Sequence, residues 1–116
     1  MQELSTLKPG TAWVLLFTAG LCEIAWAIGL KYTHGFSRVW PSAATLVMMV
    51  ISVVLLALAL KRIPVGTGYA VWTGIGAVGT AILGIFLFEE SRDVMRLLFI
   101  ALIVAGIVGL KLVSAE

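Results

Sequence analysis

Charge is what this sequence has least of. Of its 116 residues only 12% are Asp, Glu, Lys or Arg, whereas soluble domains carry about 25%. A water-facing globular surface is thereby excluded. A single cysteine, Cys22, cannot close an internal disulfide. No group of His, Cys, Asp and Glu has metal-ligand spacing, so no metal site and no cofactor is expected, and the one histidine, His34, reads as a solvated loop residue. No nucleophile stands beside a base, which argues against an enzyme. The net charge of +2 is too small and too scattered for nucleic acid.

Long apolar runs fill the remainder, with 61% of residues hydrophobic. Val39–Leu60 and Ile63–Phe88 contain no charge, and Leu97–Leu110 is equally clean. The last run reaches spanning length when Arg96 and Lys111 extend their heads to the two interfaces. A further run, Pro9–Leu30, is broken only by Glu23. The expected fold is an all-α membrane protein of four transmembrane helices, at about 12–32, 40–60, 65–88 and 93–112. They form one domain, 11–112, between an N-terminal extension, 1–10, and a short tail, 113–116. The first run is longer than a secretory h-region and lacks a basic leader, so cleavage is not expected. Four packed helices fill their own centre and leave no solute pathway, so size alone points to a homo-oligomer.

Loop charge sets membrane orientation. Lys8, Lys61, Arg62 and Lys111 fall on one side; Lys31, Arg38, Arg92 and Arg96 fall on the other, so the eight basic residues divide 4 + 4. With no bias, the chain is expected to insert both ways, and opposed copies can pair antiparallel, as inverted repeats do within larger transporters. A bias from lipids or from miscounted helix ends is the competing reading.

A carboxylate at mid-membrane costs about 2.5–3.5 kcal/mol on insertion scales, which marks Glu23 as functional. Helical geometry puts it on one face with Leu16, Ala19, Gly20, Trp26, Ala27 and Leu30. The small residues permit close approach, and the deep indole of Trp26 is expected to donate to Glu23 unless it faces lipid. Gly35 ends the first helix, and Pro41 sits in the first turn of the second. In helix two Ser52 is a deep hydroxyl, of a kind that usually bonds back to its own helix. Helix three carries Tyr69, Trp72, Thr73 and Gly76 on one face, and its glycines Gly74, Gly76 and Gly79 fit either a hinge or tight packing. Their G-x-G-x-x-G lettering is no dinucleotide site, because no strand precedes it. The turn Glu89–Asp93 reads as a solvated marker of the interface. Helix four offers Ala105, Gly106 and Gly109, a stripe suited to dimer packing.

Several of these segments resemble the small multidrug resistance family from about Trp13 to Lys111. They are Gly20-x-x-Glu23-x-x-Trp26, the Lys31-Tyr32…Gly35-Phe36…Arg38…Trp40-Pro41-Ser42 turn, and the run Ile63-Pro64-Val65-Gly66-Thr67-Gly68-Tyr69-Ala70-Val71-Trp72-Thr73-Gly74-Ile75-Gly76. The resemblance implies a multi-pass protein of the cell inner membrane, working as an antiparallel dual-topology homodimer. It further implies export of a cation in exchange for protons, both held in turn by the paired Glu23 carboxyls. Trp26, Ser52 and the Trp72-Thr73-Gly74-Ile75-Gly76 wording are similar to the branch that exports guanidinium. On this reading Gly20, Trp26, Ser52, Tyr69 and Trp72 line the site, Trp26 and Ser52 orient the carboxylate, and the partners are a guanidinyl cation, protons, lipid and a second copy. The alternative within the family is an exporter of quaternary ammonium or polyaromatic drug cations. From other classes, a proton-carrying rotary-ring subunit fits poorly with four spans, and an assembly subunit leaves the buried acid unexplained.

Overall fold

The computed structural model describes residues 7–113. They form four helices: α1 (Pro9–Tyr32), α2 (Val39–Ala59), α3 (Val65–Phe88) and α4 (Val94–Val113). Their lengths of 20–24 residues correspond to about 30–36 Å at 1.5 Å per residue, enough to cross a bilayer core. Helix α1 begins earlier than its hydropathy suggested. Pro9 is its first residue, where a missing N–H costs nothing, and Lys8 caps it in an extended conformation. Pro9 and Gly10 of the expected extension therefore belong to the helix, while residues 1–6, and 114–116 of the expected tail, lie outside the described residues.

The first turn is more contorted than one glycine implies. His34, Gly35 and Phe36 all have positive φ, at 49°, 71° and 66°. Thr33 holds them in place: its hydroxyl donates to the Leu30 carbonyl (2.8 Å) and accepts from the Phe36 N–H (3.1 Å). At the other end of α3, Glu89 is left-handed (φ 54°) and its N–H returns to Gly84, a helix stop that usually takes glycine.

Helix α1 is central. It packs antiparallel on α2 and parallel on α3, while α4 leans on α3 and buries no residue of its own. Ala12, Trp13, Leu16 and Ala19 of α1 form the core with Leu56 and Ala59 of α2, Ile63, and Val71 and Trp72 of α3. The core therefore lies at the end nearest the second turn. Toward the first turn the packing loosens, and a cavity of about 220 Å³ opens between α1 and α2, lined by Gly29, Tyr32 and Met48 among others. Extents of 45 × 37 × 17 Å describe a flattened body.

The third turn is no bare solvated marker. Arg96 of α4 donates to the Glu90 carboxylate (2.8 Å), the Ser91 carbonyl (2.8 Å) and the Ala81 carbonyl of α3 (3.3 Å). Glu90 in turn lies in the space that a side chain at Gly84 would fill. The clasp fastens the start of α4 to the last turns of α3, and it uses the charge that hydropathy assigned to the interface. Lys111, at the other end of α4, places its ammonium 4.8 Å from the centre of the Trp13 ring.

Candidate functional site

Glu23 is half-buried just beyond the core, on the α1 face turned to α3. Its carboxyl occupies the place a Cβ on Gly76 would take, with Cγ 2.7 Å from that position. The adjacent glycines serve the same seam. Gly20 of α1 receives Ile75, and Gly79 of α3 receives Ile24. The helices approach closely because neither presents a side chain at these points, which is the sense of the small residues around the acid. Gly74 faces the opposite way and receives Ile107 of α4. Within one continuous helix, then, all three glycines of the expected hinge are packed against neighbouring side chains.

The polar partners differ from those expected. Ser52 is fully buried, but it neither bonds to its own helix nor touches the carboxylate. Its hydroxyl donates to the Ala19 carbonyl of α1 (2.7 Å) and accepts from Trp72 Nε1 of α3 (3.0 Å). One hydroxyl hydrogen exists and Ala19 takes it, so no donor is left for Glu23. The result is a three-helix tie, one turn below the acid. Trp26 likewise does not donate to Glu23. Trp26 Nε1 and Glu23 Oε1 are both buried without a hydrogen-bond partner. Indole and carboxyl lie three positions apart on one helix, and the carboxyl is seated across at Gly76.

Trp72 is thus committed to Ser52 on its polar edge, while Tyr69, 55% exposed, tilts against it at 5.5 Å between ring centres. Tyr69 and Thr73 face outward, whereas Trp72 and Gly76 face inward, so the face that periodicity drew through all four is split at the helix seam. Gly106 and Gly109 of α4 have no neighbouring atom within 4 Å of an added Cβ. Ala105 is exposed beside them, and Gly109 is half-buried. No group of three His, Cys, Asp or Glu side chains able to hold a metal ion occurs among the described residues.

The profile of the Small Multidrug Resistance protein family matches residues 11–103, a segment that contains Glu23, Gly76 and the Ser52 tie. The chain belongs to the small multidrug resistance family. It is a multi-pass protein of the inner membrane and a transporter, not an enzyme. Several relatives of this small multidrug resistance protein carry the name Guanidinium exporter. That of Yersinia pseudotuberculosis is 65% identical over 103 residues, spanning 89% of this chain and 99% of its own. The Escherichia coli K12 protein is 62% identical over 101 residues, 87% of this chain and 96% of its own. The Proteus vulgaris protein is 59% identical over 103 residues, with 89% and 99% covered.

Three participants escaped the sequence. The Ala19 carbonyl carries no side-chain signal at all. Arg96 was read as an interface anchor. Thr80, whose Oγ1 is buried without a partner, stands one turn beyond Gly76, and that i, i+4 spacing was the available clue.

Proposed function

We propose that this chain is a proton-coupled antiporter that exports guanidinium or small guanidinyl cations, working as an antiparallel homodimer. The observation that carries the reading is the Glu23 carboxyl, seated mid-span over Gly76 with an oxygen that no group among the described residues engages. The names of relatives up to 65% identical support the choice of cargo.

A carboxylate binds a guanidinium through paired, charge-assisted N–H···O bonds, a geometry that a quaternary ammonium cannot make. A proton and the cation compete for the same oxygens, so the site carries one or the other. That exclusion couples the two gradients. Two Glu23 side chains, one from each inverted copy, share one cavity, and Tyr69, already exposed beside Trp72, lines its wall. Gly20 allows the close approach that the cavity needs. Ser52 and Trp72 hold α1, α2 and α3 in register around the acid. The open stripe Ala105, Gly106 and Gly109 supplies the dimer contact. Gly74, Gly76 and Gly79 form the hinge of α3: their fillers are long side chains, and α3 bends as those side chains leave the glycine notches. Exchange between inward- and outward-facing forms needs only the two copies to trade shapes.

The test is electrical. Reconstituted protein is challenged with guanidinium, and then with a tetra-alkyl ammonium, under a proton gradient. Guanidinium evokes current, Glu23→Gln abolishes it, and the ammonium evokes little. A current equal for both cations, or retained in Glu23→Gln, refutes the reading. Accessibility of terminal tags from both faces tests the dual insertion, and labelling from one face alone rejects it.

A further inference from the structure

Two buried hydroxyls among the described residues have no partner, Ser42 Oγ at the start of α2 and Thr80 Oγ1 on α3, and other hydroxyls show what partners are available. Thr18 bonds back to the Val14 carbonyl at 2.8 Å, Thr33 caps its helix, and Ser52 ties three helices. Thr80 does none of this. Its Oγ1 is shut away from solvent with no partner, in the same condition as Glu23 Oε1. An unpaired buried hydroxyl costs about 1–3 kcal/mol, so it calls for a partner in some working state.

Position supplies that partner. Gly76, the notch that holds the Glu23 carboxyl, is one helical turn before Thr80, and Gly79, the notch that holds Ile24, is its immediate neighbour. Thr80 therefore lies on the α1-facing seam. Helical side chains lean toward the N-terminus, so the Thr80 side chain leans toward the Gly76 turn, where the carboxyl rests. One turn is a rise of about 6 Å over four residues. A flat donor whose own width separates two N–H···O bonds of about 2.9 Å each reaches somewhat further than that rise, and fits it when the two bonds are angled rather than opposed. The polarity also selects. Of the partnerless atoms in this region, Trp26 Nε1 can only donate, whereas Glu23 Oε1 and Thr80 Oγ1 accept. A cation offering N–H on two edges needs acceptors, and these are two acceptors from two helices.

We propose that Thr80 is a second cation-binding residue: its hydroxyl oxygen accepts an N–H from a guanidinium whose other edge is held by Glu23. The inference rests on the cation site proposed above and adds to it. The cation bridges α1 and α3, and it distinguishes N–H-bearing cargo from quaternary ammonium by a hydrogen bond as well as by charge.

Guanidinium-driven current is measured over a concentration series for full-length wild-type protein, Thr80→Val, Thr80→Ala and Thr80→Ser, with Glu23→Gln alongside. Losing one hydrogen bond to a charged ligand is expected to raise the apparent KM of Thr80→Val and Thr80→Ala about tenfold. The rise falls on KM more than on the saturated rate, and Thr80→Ser restores KM to within about twofold. Should Thr80→Val fold poorly, the Ala and Ser pair makes the same comparison. If Val and Ala leave KM unchanged while Glu23→Gln abolishes current, Thr80 is not a ligand and the transport reading stands. An equal rise in Val, Ala and Ser means that volume and not the hydroxyl matters, which also rejects the proposal. If wild-type protein gives no guanidinium current, the transport reading and this inference fall together.

Discussion

Gly76→Ala separates a site residue from a fold residue. The added methyl would meet Glu23 Cγ at 2.7 Å and the carboxyl atoms closer still. Two energies compete locally. Alanine improves the helix by about 1 kcal/mol over glycine, while overpacking a closed site costs about 1–3 kcal/mol. Here the colliding group is the far end of a flexible side chain and not a packed backbone, so the collision is relieved by swinging the carboxyl off the notch. The expected shift in unfolding free energy is therefore within about 1 kcal/mol. Function takes the loss instead, since moving a binding group by about 1 Å can cost up to 100-fold in well-tuned sites. Transport is expected to fall by about tenfold or more, while the melting temperature in detergent stays near that of wild type. Gly66→Ala is the control, because nothing lies within 4 Å of its added Cβ. Wild-type transport kinetics in Gly76→Ala refute the placement of the acid. A large drop in melting temperature refutes the claim that the carboxyl gives way.

Ser52→Ala removes the bond to Ala19 and strands Trp72 Nε1; it is expected to cost about 1–3 kcal/mol, read as a lowered melting temperature, and an unchanged melt denies that the tie holds three helices. Arg96→Met is expected to destabilise more than Glu90→Gln by about 1 kcal/mol, because the arginine also serves the Ser91 and Ala81 carbonyls, whereas a half-exposed ion pair alone adds little. Equal effects in thermal melts contradict the clasp. Glu89→Gly places glycine at a left-handed position and is expected to stabilise by about 1 kcal/mol; a lower melting temperature shows that the acidic side chain itself matters there.

The four spans were legible because charge is absent from long runs, and hydropathy reads absence well. Glu23 was legible for the converse reason, as the one charge in a run that disfavours it. Pairings between helices were not. Periodicity reports which residues share a face of one helix, but not the register at which two helices meet. Ser52 thus looked self-bonded, although its partners are a carbonyl of α1 and an indole of α3. Trp26 looked like the donor to Glu23 because the two are near in sequence, whereas the carboxyl follows the gap at Gly76. The glycines of α3 announced close packing or bending without saying what fills them. Hydropathy placed Arg96 at the boundary correctly and could not count the carbonyls within its reach.

Helix α4 keeps none of its surface for itself. Apart from one flank along α3 and the Lys111 ammonium over Trp13 of α1, its surface is turned to the surroundings. Its contribution to cohesion is accordingly on loan from the membrane, and a change of lipid length or of protein density registers there first. The Ser52-tied trio beside it holds together by its own contacts.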